Sequence, residues 1–254
     1  MHGLIDTHAH LDEIEQIDTV LKNARQLGLE AIIAVGQDLN SNLKIIEIVS
    51  HYPGFVYPAI GLHPWAIGNM DPYDLASNIS YIRQNLPVAQ ALGEVGLDYD
   101  KRVLKTAGKD VQKDVLRQLL EISVEFNKPV SFHSRYAWKD SLALIKEVGV
   151  KRLVFHWYTG FSSTLRELVE AGYYISATPA AEYHDEHRRA VREVPVDRLL
   201  LETDCPVPYG RENKYTSQPS DVLRSLKAAA EIKGIDEKEL AMQTTMNAKR
   251  LFGL

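Results

Sequence analysis

The chain has 254 residues, with 29 Lys and Arg set against 34 Asp and Glu for a net charge of −5. A hydrophobic share of 45% with 25% charged residues excludes a disordered or collagen-like chain, and the length suits one large domain spanning residues 1–254. The acidic balance disfavours a coat protein that grips nucleic acid through a basic surface, although a local basic patch or bound cations would supply the same attraction.

Short apolar runs recur along the chain. They predict strands at Leu4–Ile5, Ala31–Val35, Val56–Ile60, Ala89–Leu92, Val130–Phe132, Arg152–Phe155, Tyr173–Ser176 and Leu199–Leu201. Amphipathic stretches separate them, at Ile17–Leu27, Leu43–Ser50, Leu75–Asn85, Val111–Phe126, Ser141–Val148, Ser163–Ala171 and Glu182–Val194. Leu116, Leu119, Leu120 and Val124 recur at helical spacing, which predicts that this face is buried. Two more helical segments, Asp221–Lys233 and Asp236–Phe252, close the chain. Strands alternating with helices make βαβ units and a parallel sheet. Eight units in this length predict an α/β fold of the (β/α)8 TIM-barrel type, with a doubly wound open sheet as the rival.

Polar residues follow the apolar runs. The first run continues into Asp6-Thr7-His8-Ala9-His10, and strand alternation puts Asp6, His8 and His10 on one face. Nine histidines make a lone His-x-His unremarkable. Later runs, however, lead into His63, Glu94, His133, His156 and Glu202-Thr203-Asp204. In a parallel barrel these ends open on the face that carries active sites. Five histidines and two carboxylates buried there without partners would be costly, and divalent cations resolve that cost. A nitrogen and oxygen donor set without thiolate suits Zn, Mn, Fe or Co. So many candidate ligands exceed one tetrahedral site and suit a pair of metals, about 3.5–4 Å apart, sharing a carboxylate.

The motifs Asp6-Thr7-His8-Ala9-His10-Leu11-Asp12, Gly61-Leu62-His63-Pro64, Gly93-Glu94-Val95-Gly96-Leu97-Asp98-Tyr99, His133-Ser134-Arg135-Tyr136-Ala137, Glu202-Thr203-Asp204-Cys205-Pro206 and Asn247-Ala248-Lys249-Arg250-Leu251-Phe252-Gly253 span nearly the whole chain. In kind and order they resemble the signatures of the TatD family, a branch of the metal-dependent TIM-barrel hydrolases associated with deoxyribonuclease activity. The resemblance implies that His8, His10 and Asp204 hold a first divalent metal and that His133 and His156 hold a second. Glu94 is the implied bridge and His63 a non-ligand that contacts the scissile group. The metals would be two per chain, drawn from Mg, Mn, Zn or Co, with DNA strand ends as substrate. Asp204 is also placed to accept a proton from the attacking water. Arg135, two residues after His133, falls on the same strand face, where it would clamp a phosphate or form a structural ion pair. Two departures bear on the substrate. Trp157-Tyr158 follows His156 where relatives usually carry Cys-Phe, and Pro219 comes later after Arg211-Glu212-Asn213 than in the family pattern.

Trp65, Trp138 and Trp157 each follow a strand-end histidine. Packing between helices and barrel is the plainer reading, and base stacking the functional one; alternation turns Trp157 away from His156. His184 and His187 read as one solvated helix face. Cys205 faces away from Asp204, lacks an activating base and cannot pair with a second cysteine. With no leader-like start and no run of roughly 20 apolar residues, the sequence reads as a cytoplasmic protein with no membrane role, and nothing in it requires an oligomer. Two other functions fit the same residues: hydrolysis of another ester or amide, including the aminoacyl ester of tRNA, and non-catalytic binding of metal or nucleic acid.

Overall fold

The computed structural model describes residues 3–254. Eight parallel strands form one sheet in sequential order: β1 Leu4–Ala9, β2 Leu29–Val35, β3 Val56–Leu62, β4 Ala91–Asp98, β5 Val130–Arg135, β6 Leu153–Phe155, β7 Tyr174–Ala177 and β8 Leu199–Leu201. The sheet curls until its ends meet. The His10 amide donates to the Cys205 carbonyl (2.8 Å), and the Asp204 amide donates to the His8 carbonyl (2.9 Å). This seam makes the sheet a (β/α)8 TIM barrel and removes the open-sheet alternative.

All eight predicted strands are present, and the largest difference lies at their C-terminal ends. β1, β4 and β5 run through the polar residues that follow the apolar runs, so His8, Glu94 and His133 sit within strands. Two of these strands carry an extra residue. Between the pairs Leu92↔Val130 and Val95↔Phe132, Gly93 and Glu94 on β4 face Ser131 alone on β5. Between Asp6↔Ile32 and Ala9↔Ala34, Thr7 and His8 on β1 face Ile33 alone. Such bulges re-aim side chains locally. They explain why Asp6 does not join the cluster that holds His8 and His10, although simple alternation predicts it. Glycine makes the crowding around Glu94 possible, since a Cβ at Gly61 would collide with the Glu94 carbonyl and one at Gly96 with the His133 carbonyl.

Helices cover the barrel because their apolar stripes need burial. In the helix Lys109–Glu125, Leu116, Leu119 and Leu120 are buried, whereas Val124 is 43% exposed. At 3.6 residues per turn Val124 lies about 80° round from Leu116, and Ser123, bonded to the Leu120 carbonyl, takes the inward position instead. The helix after β2 begins at Leu39, earlier than its apolar pattern shows, because Asp38 and Ser41 form a capping box. No helix among the described residues is long and apolar enough to cross a membrane.

Candidate active site

The C-terminal ends of the strands surround a cavity of about 730 Å3 whose wall includes His10, His63, Glu94, His133, His156 and Asp204. His8 completes the cluster from beneath. Glu94 is the centre of it. Its Oε1 lies 2.9 Å from His156 Nε2, 3.0 Å from His133 Nδ1 and 3.5 Å from His63 Nε2. Its Oε2 lies 3.4 Å from His8 Nε2 and 3.5 Å from His10 Nε2. Asp204 Oδ1 faces the second pair, 3.5 Å from His8 Nε2 and 3.2 Å from His10 Nε2. The two oxygens of one carboxylate therefore address two different sets of imidazoles.

Four of the imidazoles are backed by side chains, three through a hydrogen bond and His156 by a carboxylate at ion-pair distance only. Ser131 Oγ lies 2.9 Å from His8 Nδ1, and the Gln37 amide nitrogen 3.0 Å from His10 Nδ1. Asp98 Oδ2 lies 3.2 Å from His133 Nε2, and Glu202 Oε1 lies 3.4 Å from His156 Nδ1. These four backing residues are absent from the sequence-derived site. Three had a signal in strand alternation. Ser131 shares a strand face with His133, Glu202 sits two residues before Asp204, and Asp98 lies an even four residues past Glu94. Gln37 follows β2 in a loop and carries no such mark.

Asp6 has a different task. Its Oδ1 accepts from the Thr203 amide (2.9 Å) and its Oδ2 from the Thr203 hydroxyl (2.6 Å), tying the segment after β8 to β1. This clasp and the bond to the His8 carbonyl hold Asp204, whose φ of +52° lies in the left-handed region. Burial raises the Asp6 pKa well above the carboxylate range, against the opposing Thr203 hydrogen bonds.

Electrostatics separate the cluster members. Burial opposes ionisation of Glu94, yet the surrounding imidazoles hold its carboxyl well below the usual range. Asp204 is likewise lowered despite burial, chiefly through its hydrogen bond with His10. Burial pushes His63 down to about 4, so this ring is neutral at pH 7. The donor set fits divalent cations: buried imidazole nitrogens and carboxylate oxygens converge, and His8 Nε2 has no hydrogen-bond partner of its own. Three triads have ligand atoms within 4.8 Å of one another: His8, His10 and Asp204; His63, Glu94 and His133; and His8, His156 and Glu202. The geometry thus brings His63 and Glu202 as close to the cluster as the six residues named from the sequence.

The remaining expectations divide. Arg135 lies on the cavity wall, as its strand position predicts. All three tryptophans line the cavity as well. Trp157 does so because β6 stops at Phe155 and alternation no longer governs it; at φ +40° its amide donates to Glu202 Oε1 (3.0 Å). His184 and His187 do not form a solvated face. His184 lines the cavity, while His187 is fully buried, with Nδ1 facing the Tyr158 carbonyl (3.0 Å) and Nε2 accepting from the Thr178 amide (3.1 Å). Cys205 is buried, and burial raises its thiol pKa well above the usual value, which suits an inert side chain.

Comparison with known proteins agrees with this architecture. Residues 5–253 match the family model described as TatD related DNase. The uncharacterized metal-dependent hydrolase YabD of Bacillus subtilis is 36% identical over 98% of this chain and 98% of its own length. Human deoxyribonuclease TATDN3 is 32% identical over 98% of this chain and 94% of its own. Among solved structures, the TatD homolog YJJV of Escherichia coli superposes with a TM-score of 0.88, at 24% identity over 99% of this chain and 98% of that one, which shows the shared barrel. The full-length family match and the relatives at this identity establish that the chain belongs to the TatD-related DNase family of metal-dependent hydrolases.

Proposed function

We propose that the chain, as one domain over residues 1–254, is a deoxyribonuclease that hydrolyses phosphodiester bonds at DNA strand ends with two divalent cations. The observation that carries this reading is Glu94, whose two oxygens address His133 and His156 on one side and His8 and His10 on the other. In this reading His8, His10 and Asp204 would hold one cation and His133 and His156 the other, with Glu94 common to both. Divalent cations there supply Lewis-acid polarisation of a phosphoryl oxygen and ease the deprotonation of water at neutral pH.

The chain's own groups do the rest. Asp204, ionised at neutral pH, accepts the proton of the attacking water. His63, neutral and 3.5 Å from Glu94, contacts the scissile group as a hydrogen-bonding partner without adding charge. Arg135 presents a planar guanidinium to the non-bridging phosphate oxygens. Water adds to phosphorus, the bond to the leaving oxygen breaks, that oxygen takes up the proton Asp204 received, and the products are a phosphate monoester and a free hydroxyl. The family match and the deoxyribonuclease name of the human relative support the substrate.

The test is hydrolysis of end-labelled single-stranded oligodeoxynucleotides by protein stripped of metal and reloaded separately with Mg, Mn, Co or Zn, its metal content measured each time. Stepwise release of nucleotides from an end is the expected result. Protein that holds metal and leaves every oligonucleotide intact overturns the reading, and cleavage of an aminoacyl ester by the same preparation would replace it.

A further inference from the structure

Resting on the deoxyribonuclease reading, we propose that Trp65 is a fixed stacking platform for a nucleobase of the strand held in the cavity. Trp65 is 50% exposed, and it lines the cavity from the short helix Pro64–Ile67, which His63 caps. An exposed indole is ordinarily free to change rotamer, but this one is anchored: its Nε1 donates to Asp98 Oδ2 at 2.6 Å. The same carboxylate oxygen lies 3.2 Å from His133 Nε2. One buried aspartate therefore fixes an open aromatic ring and a proposed metal ligand in a common frame.

The other two tryptophans of the wall are placed differently. Trp138 packs against Tyr136, Tyr158 and Phe161, with ring centroids 6.0, 6.3 and 5.5 Å away, and Trp157 packs against Tyr209 at 5.4 Å. Both are less exposed than Trp65, so more of each ring is taken up by the protein. Trp65 has a single aromatic neighbour among the described residues, His63, at 5.3 Å and nearly perpendicular (83°). That contact leaves at least one indole face without an aromatic partner. A pre-positioned π-face beside a phosphodiester site has the chemistry to take a planar base, and it does so whatever the sequence, because every base offers a π-face. The base must be unpaired and unstacked to reach it. Tyr136, 61% exposed on the same wall and held at φ +57°, presents a second ring in a conformation bulky residues rarely adopt.

The test compares an ordinary single-stranded oligodeoxynucleotide with one whose terminal nucleotides lack bases, on wild type, Trp65→Ala and Trp65→Phe, with metal content and thermal melting recorded for each. For the ordinary strand, Trp65→Ala is expected to raise KM about tenfold with kcat little changed, while KM for the abasic strand stays at its wild-type value. Trp65→Phe separates ring from anchor, because it keeps an aromatic face and releases Asp98. Retained preference for the strand with bases in this variant supports stacking. Equal losses on both strands in Trp65→Ala, or no loss on either, overturn the proposal, as does a phenylalanine variant that behaves like alanine. Wild type that cleaves neither strand overturns the deoxyribonuclease reading itself, a different pattern from any of these.

Discussion

The two sides of Glu94 are built from the same side chain and backed by opposite means. His8 and His10 rest on neutral groups, the Ser131 hydroxyl and the Gln37 amide, and have Asp204 directly among them. His133 and His156 have no second carboxylate at the centre, but each has one behind it, Asp98 and Glu202. A carboxylate behind an imidazole fixes its tautomer and raises its basicity, so negative charge enters this side through the rings. The cluster thus supplies charge to one side directly and to the other by relay. What an imidazole offers a cation depends on the group it leans against.

The largest effect is expected at the residue both sides share. Glu94→Gln removes the charge common to both, and we expect hydrolysis to fall on the order of 10³-fold with bound metal reduced, as read by elemental analysis. A variant that keeps its full metal content would break the picture of a shared carboxylate. Next comes Glu202→Gln, whose amide oxygen can still accept the Trp157 N–H while the charge behind His156 is lost. Metal affinity should weaken about 10- to 100-fold by equilibrium dialysis. Ser131→Ala, which removes only a neutral partner of His8, should cost several-fold less. Equal losses in the two variants would erase the distinction between direct and relayed charge.

A further test concerns a histidine outside the cluster, and it isolates neutral backing. His187 is buried between the Tyr158 carbonyl and the Thr178 amide, and burial lowers its pKa to about 4 from 6.5. Protonation would set a second donor against the Thr178 N–H. Above pH 6.5 the ring is neutral folded or unfolded and contributes no pH dependence. Below that, the unfolded chain takes up the proton first, so stability falls with pH until about 4, by on the order of 3 kcal/mol at most. Urea unfolding of His187→Gln should show a flatter decline across this window than wild type, and an unchanged slope would show that the ring is charged without penalty.

Much of this was legible in the sequence, for a physical reason. Parallel strands buried on both faces read as continuous apolar runs, and so Leu199–Leu201 and Ala31–Val35 mark themselves. The candidate ligands end those runs, where polar residues stand out. Less legible was whatever depends on register. Nothing in Gly93-Glu94 announces that two residues will face Ser131 alone, or that β4 continues through both glycines to Asp98. Trp157 and the pair His184 and His187 escape these patterns because alternation and helical spacing apply only within an element: β6 ends before Trp157, and the helix Asp185–Glu193 begins after His184. Gln37 reaches His10 from a loop, a contact between distant parts of the chain that no local pattern encodes.

The seam of the barrel ties the site to the completion of folding. His8 lies on the first strand and His10 directly after it, and Asp204 follows the last. These donors stand together only when β1 and the segment after β8 have met. A chain still waiting for its final strand has half a binding site, so it can hold no cation across the join. Conversely, a ligand that spans the join acts as a clasp on the closed cylinder. At a free concentration 100 times its dissociation constant, it would add about 2.7 kcal/mol to the stability of that closure. Divalent ions would then be structural partners of this barrel as much as reagents, and the melting temperature would report their occupancy.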